Sequence, residues 1–242
     1  MFVSDTAYDD FMGRFSYRLA PVFADFAGVS AGDRILDVGA GTGALTAELV
    51  RRAAVAAAAE PSEAFVAALH RRFPGIDARE AGAEDLPWPD AAFDGALAQL
   101  VVAFMRDAAA GVREMQRVVR PGGTVAVCMW DRDGMEMLAA VDRTRDALGD
   151  AREVTPYRTR AEIESLLPGA DVELLTVEAA YSDFEDLWAS LVGGVGPAGV
   201  WAASLDEERR GAARAELFRQ LDEPSGPFEL VGRAWAARAT RA

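Results

Sequence analysis

Residues 34–46, Arg-Ile-Leu-Asp-Val-Gly-Ala-Gly-Thr-Gly-Ala-Leu-Thr, decide the fold of this chain. The apolar residues at the start of the stretch are typical of a buried parallel strand. Three alternate glycines follow, and they predict a sharp turn, because a residue without Cβ lets the backbone lie directly against a ligand. A helix is predicted from about Ala44, and its unpaired N–H groups would face that ligand. The three glycines are Gly39, Gly41 and Gly43.

Two cofactor classes use such a turn, and the spacing alone does not separate them. Gly39-x-Gly41-x-x-Ala44 fits the dinucleotide fingerprint, which permits alanine at its third position. Asp37, however, lies two residues before the first glycine. Its negative charge would oppose a pyrophosphate and would suit a cation. S-adenosylmethionine is such a ligand, since it carries a sulfonium and an ammonium group and no phosphate.

Two motifs resemble those of class I S-adenosylmethionine-dependent methyltransferases. Residues 36–43, Leu-Asp-Val-Gly-Ala-Gly-Thr-Gly, resemble the first motif of that family. Residues 114–123, Glu-Met-Gln-Arg-Val-Val-Arg-Pro-Gly-Gly, resemble a later, purely structural motif that nicotinamide enzymes do not carry. The resemblance covers roughly residues 30–130 in unbroken order. It implies transfer of a methyl group to oxygen, nitrogen or carbon of a small molecule. An NAD(P)-dependent oxidoreductase and a catalytically silent S-adenosylmethionine-binding protein are the alternatives.

The resemblance and the alternation of strands with helices imply an α/β fold. We expect a doubly wound, mostly parallel seven-stranded sheet with helices on both faces, plus helical lid elements. A helical cap at 1–29 and a methyltransferase domain at 30–242 are predicted, with a helical insert at about 182–227. The insert is expected to pack with the N-terminal helices as a lid over the methyl acceptor. Pro21 predicts a break in the N-terminal helix, and the glycine-rich stretch 193–199 predicts a flexible link between two helices.

An acid at the end of the second predicted strand is the expected ribose ligand. Residues 55–59 predict that strand, and Glu60 follows it. A carboxylate in this place accepts hydrogen bonds from both ribose hydroxyls. The methyltransferase and the dinucleotide interpretations both predict this residue. Glu60 therefore indicates a nucleoside without choosing between them.

The family resemblance implies the remaining cofactor contacts. Pro61 would border the adenine, and the loop at Gly82 resembles the adenine-side loop, with glycine where many members have aspartate. Gln99 and Leu100, at the end of the fourth strand, correspond to the place where a backbone carbonyl takes the ammonium group. Arg14 is predicted to meet the cofactor carboxylate through a bidentate fork. The predicted cofactor-binding residues are Arg14, Asp37, Gly39, Ala40, Gly41, Gly43, Glu60, Pro61, Gly82, Ala83, Glu84, Gln99 and Leu100.

Composition excludes several classes of function. The formal net charge is −14, which works against docking on nucleic-acid phosphates or on anionic lipid. The chain has no lysine, so it cannot carry a lysine base, and its single cysteine, Cys128, cannot form an internal disulfide. The single histidine, His70, lies on the polar side of a predicted helix, and no metal cluster can be assembled from these residues. No signal sequence or long apolar run is apparent, so a cytoplasmic protein is expected.

No catalytic residue is assigned from the sequence. Methyl transfer from a sulfonium is an in-line displacement at carbon, and positioning of the two reactants supplies most of what the protein must do. No histidine, lysine or cysteine is placed to act as a base. Phe104, Met105 and Trp130 follow predicted strand ends and are candidates to line the acceptor site, with ordinary core packing as the alternative. Acceptor identity and oligomeric state are not predicted.

Overall fold

The computed structural model describes residues 8–151, 154–194 and 196–242 of the chain. These residues form two compact units. The first unit contains the residues up to Phe15, residues 132–155 and residues 176–233, and the second contains residues 16–131, 156–175 and 234–242. The predicted boundary between residues 29 and 30 lies inside the second unit, so the division into a cap and a methyltransferase domain stays a prediction. Residues 1–7 of that cap lie outside the described residues.

Seven strands form one mixed sheet in the order β3-β2-β1-β4-β5-β7-β6. The pairs β1–β2, β1–β4, β2–β3 and β4–β5 are all parallel. The chain order reverses between β1 and β4, and this is the place where doubly wound sheets open a ligand crevice. The strands are β1 (Arg34–Val38), β2 (Val55–Glu60), β3 (Asp77–Glu80), β4 (Phe93–Gln99), β5 (Val119–Met135), β6 (Asp171–Tyr181) and β7 (Phe228–Thr240).

The last strand runs against its neighbour. The Gly122 N–H donates to the Arg241 carbonyl at 2.8 Å, and the Arg241 N–H donates to the Gly123 carbonyl at 2.8 Å. These bonds join the start of β5 to the residue that follows β7, which makes the pair antiparallel. The prediction of a mostly parallel, seven-stranded α/β sheet is confirmed.

Helices cover both faces of the sheet in the second unit. Leu36 and Val38 of β1 belong to a core cluster that includes Met115 of the fourth helix. Ala58 of β2 belongs to a separate cluster with Leu69 of the third helix. The helices are α1 (Arg14–Ala27), α2 (Ala44–Arg51), α3 (Glu63–Arg72), α4 (Ala108–Val118), α5 (Glu136–Ala147), α6 (Arg160–Leu166), α7 (Phe184–Val192), α8 (Gly196–Ser204) and α9 (Glu207–Gln220), with a π-helix at Asp9–Gly13 and a 3-10 turn at Val102–Phe104.

The predicted break at Pro21 is wrong. Helix α1 runs through this residue, and the helix instead changes from π to α geometry between Gly13 and Arg14. A proline inside a helix removes one N–H donor and crowds the preceding turn. The Pro21 carbonyl also accepts a hydrogen bond from Arg52 at 2.9 Å, so a side chain from α2's end supports the helix at this turn.

The predicted flexible link at 193–199 is also wrong in its second half. Helix α8 begins at Gly196, so the described residues between β6 and β7 form three helices where the sequence predicted two. Pro197 is the second residue of α8, and proline is tolerated in the first helical turn because its missing N–H would have no intrahelical partner. None of the helices in the described part of the chain is long and apolar enough to span a bilayer.

Candidate functional site

The glycine loop, residues 39–43, lies at the carboxyl end of β1 and is tied to β2. The N–H groups of Gly39 and Ala40 both donate to the Ala59 carbonyl, at 2.8 and 3.2 Å. The Gly43 N–H closes the loop on the Ala40 carbonyl at 2.9 Å and precedes the first turn of α2. The loop therefore has a fixed shape at the point where the strand order reverses.

The three glycines of the loop all have positive φ, but the space around them differs. A Cβ at Gly39 would overlap the Val101 side chain, and one at Gly43 would come within 2.6 Å of the Phe73 ring. Gly41 has φ +53°, and a Cβ built on it meets no atom within 4 Å. Packing therefore explains two of the glycines, whereas Gly41 opens on empty space. This is the point of the loop where a ligand can approach the backbone most closely.

Glu60 binds the glycine loop through its carboxylate. One oxygen, Oε2, accepts the Gly41 N–H at 2.9 Å, and Oε1 accepts the Ser62 N–H at 3.0 Å. Burial raises the pKa of Glu60, and the two backbone donors offset that effect only in part. The carboxylate is thus held at the loop by hydrogen bonds rather than by an ion pair. Pro61 is exposed directly after it.

Asp37 is a buried acid beneath the same loop. Its Oδ2 accepts the Thr46 hydroxyl at 2.6 Å, and the Thr46 backbone also bonds the carboxylate. Burial raises the pKa of Asp37 to about 7, since hydrogen bonds from Thr46 lower it less and the nearby Glu60 charge raises it further. Thr46, in the first turn of α2, is a partner that the sequence analysis missed. A hydroxyl residue at the start of a helix after a glycine turn was the available signal.

This arrangement fits a cation better than a pyrophosphate. A pyrophosphate needs backbone N–H groups that are free to receive it. In the loop, the N–H groups of Gly39, Ala40, Gly41 and Gly43 already donate to protein acceptors. The two buried acids near this loop, Glu60 and Asp37, offer no positive charge to a dianionic ligand, and their ionised forms would repel it. The geometry favours a nucleoside that carries positive charge.

The loop at residues 81–85, for which contact with the adenine stays a prediction, is tied to β2 and to the start of α4. The Ala81 N–H donates to the Glu60 carbonyl at 3.2 Å, and Ala83 is buried in the core. Glu84 Oε1 accepts the N–H groups of Arg106 and Asp107, at 2.7 and 3.1 Å. Burial acts against the charged form of Glu84, but these backbone donors prevail and the pKa is lowered.

Gln99 and Leu100 end the central strand β4. The Gln99 side chain donates from Nε2 to the Ser16 carbonyl of α1 at 3.1 Å. Leu100 has φ +62°, a left-handed conformation that is unusual for a residue with a side chain. Its N–H donates to the Cys128 carbonyl of β5 at 2.9 Å. Local sequence does not predict this backbone conformation.

Arg14 lies in the first compact unit, and its fork is already engaged there. The guanidinium makes a bidentate pair with Asp186, at 2.9 and 2.5 Å, and donates to the Ala180 carbonyl at 3.2 Å. It also lies over the Tyr181 ring, 4.9 Å from the ring centroid. These contacts join the N-terminal segment to α7, as expected for the insert. The predicted contact between Arg14 and the cofactor stays a prediction, as does the role of the insert as a lid.

The single histidine, the single cysteine and two helix caps are found at positions that their residue types favour. His70 is exposed on α3, and Cys128 is buried with a thiol pKa that burial raises, both as expected. Asp107 caps α4 by accepting the Ala110 N–H, and Thr159 caps α6. Among the described residues, no cluster of three or more potential metal ligands occurs.

Comparison with known proteins identifies the family. A family model described as a methyltransferase domain matches residues 36–127. A demethylmenaquinone methyltransferase from Mycolicibacterium vanbaalenii is 30% identical over 173 residues, which cover 69% of this chain and 75% of that protein. The chain belongs to the class I S-adenosylmethionine-dependent methyltransferases. S-adenosylmethionine is the cofactor of this family, so the predictions of family, fold and cofactor are confirmed.

Other relatives of this methyltransferase show a shared sequence region or a shared fold, without an assigned activity. Proteins of Mycobacterium tuberculosis and Mycobacterium bovis, both named only as uncharacterised, are 31% identical over 129 residues. The chain spans about half the length of these curated relatives, 47% of each. A solved structure of a proposed type II methyltransferase from Anaeromyxobacter dehalogenans matches with a TM-score of 0.66 at 23% identity, over 93% of this chain and 95% of that one. That likeness shows the shared fold alone.

Proposed function

We propose that this methyltransferase transfers the methyl group of S-adenosylmethionine to oxygen, nitrogen or carbon of a small-molecule acceptor. The observation that carries the proposal is the glycine loop, where Gly41 opens on empty space and donates its N–H to the buried acid Glu60. A pyrophosphate is poorly suited to this site, whereas a neutral ribose and a cationic methionine portion are well suited. The family match supports the same assignment.

The cofactor would be held by the carboxyl ends of β1, β2 and β4. Glu60 accepts hydrogen bonds from the ribose hydroxyls, and a cationic ligand would favour the ionised form of Asp37 near the end of β1. When bound, S-adenosylmethionine supplies an electrophilic methyl group on its sulfonium. The chain's own contribution is to fix the position of that group and to exclude water around it. The remaining proposed contacts are Gly39, Ala40, Gly41, Gly43, Pro61, Gly82, Ala83, Gln99 and Leu100.

The acceptor class follows from relatives and from one exposed side chain. Relatives at about the same identity are named demethylmenaquinone methyltransferase, which indicates a quinone-type small molecule. Phe104, in the 3-10 turn that follows β4, is 51% exposed. An exposed aromatic ring near the end of the central strand suits an apolar ring system. We propose that neither a nucleic acid nor a membrane is a partner of this chain. We propose the cytoplasm as its location.

No general base is needed for this proposal. Tyr181, a phenol near the start of the insert, is buried, and burial raises its pKa well above the ordinary value, so it is a poor proton acceptor. Glu84 uses its carboxylate to bind two backbone N–H groups. Positioning therefore remains the main catalytic contribution, and the catalytic residue stays unassigned.

Calorimetry tests the cofactor assignment directly. The full chain should bind S-adenosylhomocysteine with micromolar or tighter affinity and should show no heat of binding with NAD under the same conditions. Binding of NAD alone would refute the proposal and support the oxidoreductase alternative. A second assay, with methyl-labelled S-adenosylmethionine and a panel of hydroxylated aromatic acceptors, follows transfer of the label. Binding without transfer across the panel would favour the catalytically silent alternative.

A further inference from the structure

An unpaired hydrogen-bond acceptor lies at the end of β4. The Gln99 Oε1 atom is buried and has no hydrogen-bond partner among the described residues. Its orientation is fixed, because the Ser16 carbonyl can only accept and therefore faces Nε2 of the same amide. A buried oxygen without a donor is costly, and nearly all such groups in proteins are satisfied. The donor that completes this amide must therefore come from outside the described chain.

The position of Gln99 in the sheet indicates which ligand is close. Leu97 of β4 is level with Asp37 of β1, and successive side chains of a strand alternate between the two faces. Gln99 is two residues beyond Leu97, so its side chain lies on the same face as Asp37 and next to the glycine loop. Leu100, held in a left-handed conformation, follows at once. Strained backbone of this kind is concentrated at binding sites.

We propose that Gln99 is a specificity-determining residue whose side-chain oxygen accepts a hydrogen bond from a hydroxyl of the methyl acceptor. This inference rests on the proposed function. A neutral amide oxygen orients a neutral hydroxyl without taking its proton. A cation near this place would be served better by the buried acids Asp37, on the neighbouring strand β1, and Glu60, on β2. Gln99 therefore selects acceptors that carry a hydroxyl beside the methylated position.

The composition of the chain makes this amide easy to observe. The sequence contains three glutamines and no asparagine, so a ¹⁵N-labelled sample gives only three pairs of side-chain amide signals. The Gln99 pair is assigned by its absence from the spectrum of a Gln99→Met variant. Gln220, which bonds Glu216 and Arg143, and Gln116 on α4 serve as internal controls.

The experiment adds two probes to the full chain saturated with S-adenosylhomocysteine. The probes are 1-naphthol and 1-methoxynaphthalene, which share a ring system and differ in the hydroxyl donor. We expect 1-naphthol to shift the Gln99 amide signals and leave those of Gln116 and Gln220 in place, while the methyl ether does not shift them. We also expect the wild-type protein to bind 1-naphthol about five-fold more tightly than the ether, and Gln99→Met to reduce that ratio to near one.

Each other outcome has a definite meaning. A Gln99 shift on addition of S-adenosylhomocysteine, with no further shift from 1-naphthol, overturns the inference and assigns the oxygen to the cofactor ammonium. No shift with either ligand also overturns it, because the oxygen is then satisfied by water. If the wild-type protein fails to bind S-adenosylhomocysteine in calorimetry, the proposed function itself fails.

Discussion

At the scale of single residues, two buried acids define the chemistry of the proposed cofactor site. Glu60 and Asp37 both have raised pKa values, and burial is the main cause in each case. Neither forms an ion pair with an arginine in the described structure, although the chain has 25 basic residues. Both acids are instead held by backbone N–H groups or by a hydroxyl. Negative charge is thus placed where a ligand with hydroxyl and cationic groups would gain from it.

Glu60 offers the sharpest test of the ribose contact. Glu60→Gln should weaken binding of S-adenosylhomocysteine about ten-fold, because hydrogen bonds to a charged acceptor are worth roughly 1.5–3 kcal/mol each. The melting temperature should fall modestly, because the amide nitrogen of glutamine cannot accept one of the two backbone N–H groups that Glu60 binds. Calorimetry and thermal unfolding check the two effects. Glu80→Gln is the matched control, because Glu80 is level with Glu60 on β3 and is exposed. Unchanged affinity in Glu60→Gln would refute the role.

Asp37 predicts a particular dependence of stability on pH. The native carboxyl keeps its proton up to about pH 7, whereas the unfolded one loses it near its ordinary value of 3.8. The native state therefore binds more protons between these values, and the free energy of unfolding falls as pH rises, by about 1.4 kcal/mol per pH unit in mid-window. Above pH 7 the contribution is constant.

Asp37→Asn should remove that slope. Urea unfolding at intervals from pH 5 to pH 8 measures it, and the difference between wild type and variant isolates Asp37 from the raised pKa of Glu60. The variant should be more stable than the wild type above pH 7, provided that the Thr46 hydroxyl still donates to the amide oxygen. Identical slopes for the two proteins would show that the Asp37 carboxyl titrates near its ordinary pKa in the native state.

At the scale of elements, the turn from β1 to α2 is closely packed at two of its glycines and open to solvent space at the third. Gly39 and Gly43 are required because Val101 and Phe73 occupy the space of a side chain. Gly41 has no such neighbour. The same short segment thus joins the sheet to its helix and leaves one point of main chain accessible to a ligand.

Gly41→Ala should separate these two roles. The added methyl group meets no protein atom, so the folded state loses only the roughly 1 kcal/mol of a left-handed residue with a side chain. Gly32→Ala is the matched control, because Gly32 also has positive φ and empty space around it. We expect both variants to lose similar stability, and Gly41→Ala alone to lose at least ten-fold in affinity for S-adenosylhomocysteine. Equal affinity in the two variants would contradict the assignment of the opening.

At the scale of the whole molecule, contacts between distant parts of the sequence assemble each unit. In the first unit, Arg14 and Asp186 are 172 positions apart and form a bidentate pair. In the second, Gln99 and Ser16 are 83 positions apart. The fold brings them together by placing strands from separate parts of the chain side by side.

Arg14→Lys tests the pair that joins the N-terminal segment to α7. A lysine retains the charge but cannot form two parallel hydrogen bonds, so we expect a loss of about 1 kcal/mol in unfolding free energy. Arg18→Lys is the control on the same helix, at an exposed position. No loss relative to the control would show that the pair contributes nothing. The affinity for S-adenosylhomocysteine, measured in the same variants, tests the sequence prediction that Arg14 meets the cofactor carboxylate.

The sequence by itself determined the order of strands and helices, the glycine loop and the acid at the end of β2. These features depend on local properties, such as hydrophobic periodicity and the absence of Cβ. It failed at Pro21 and at residues 193–199. At Pro21, a hydrogen bond from the distant Arg52 supports the helix despite the proline. At residues 193–199, Pro197 lies in the first turn of α8, where proline is tolerated.

Only the tertiary structure decided how the predicted polar residues are used. It gave Asp37 a partner in Thr46, engaged Arg14 with Asp186, and left one oxygen of Gln99 without a donor. It also distinguished Gly41, which opens on space, from the other two glycines of the loop. Burial and long-range contact cause these differences, and neither is encoded by the spacing of residues along the chain.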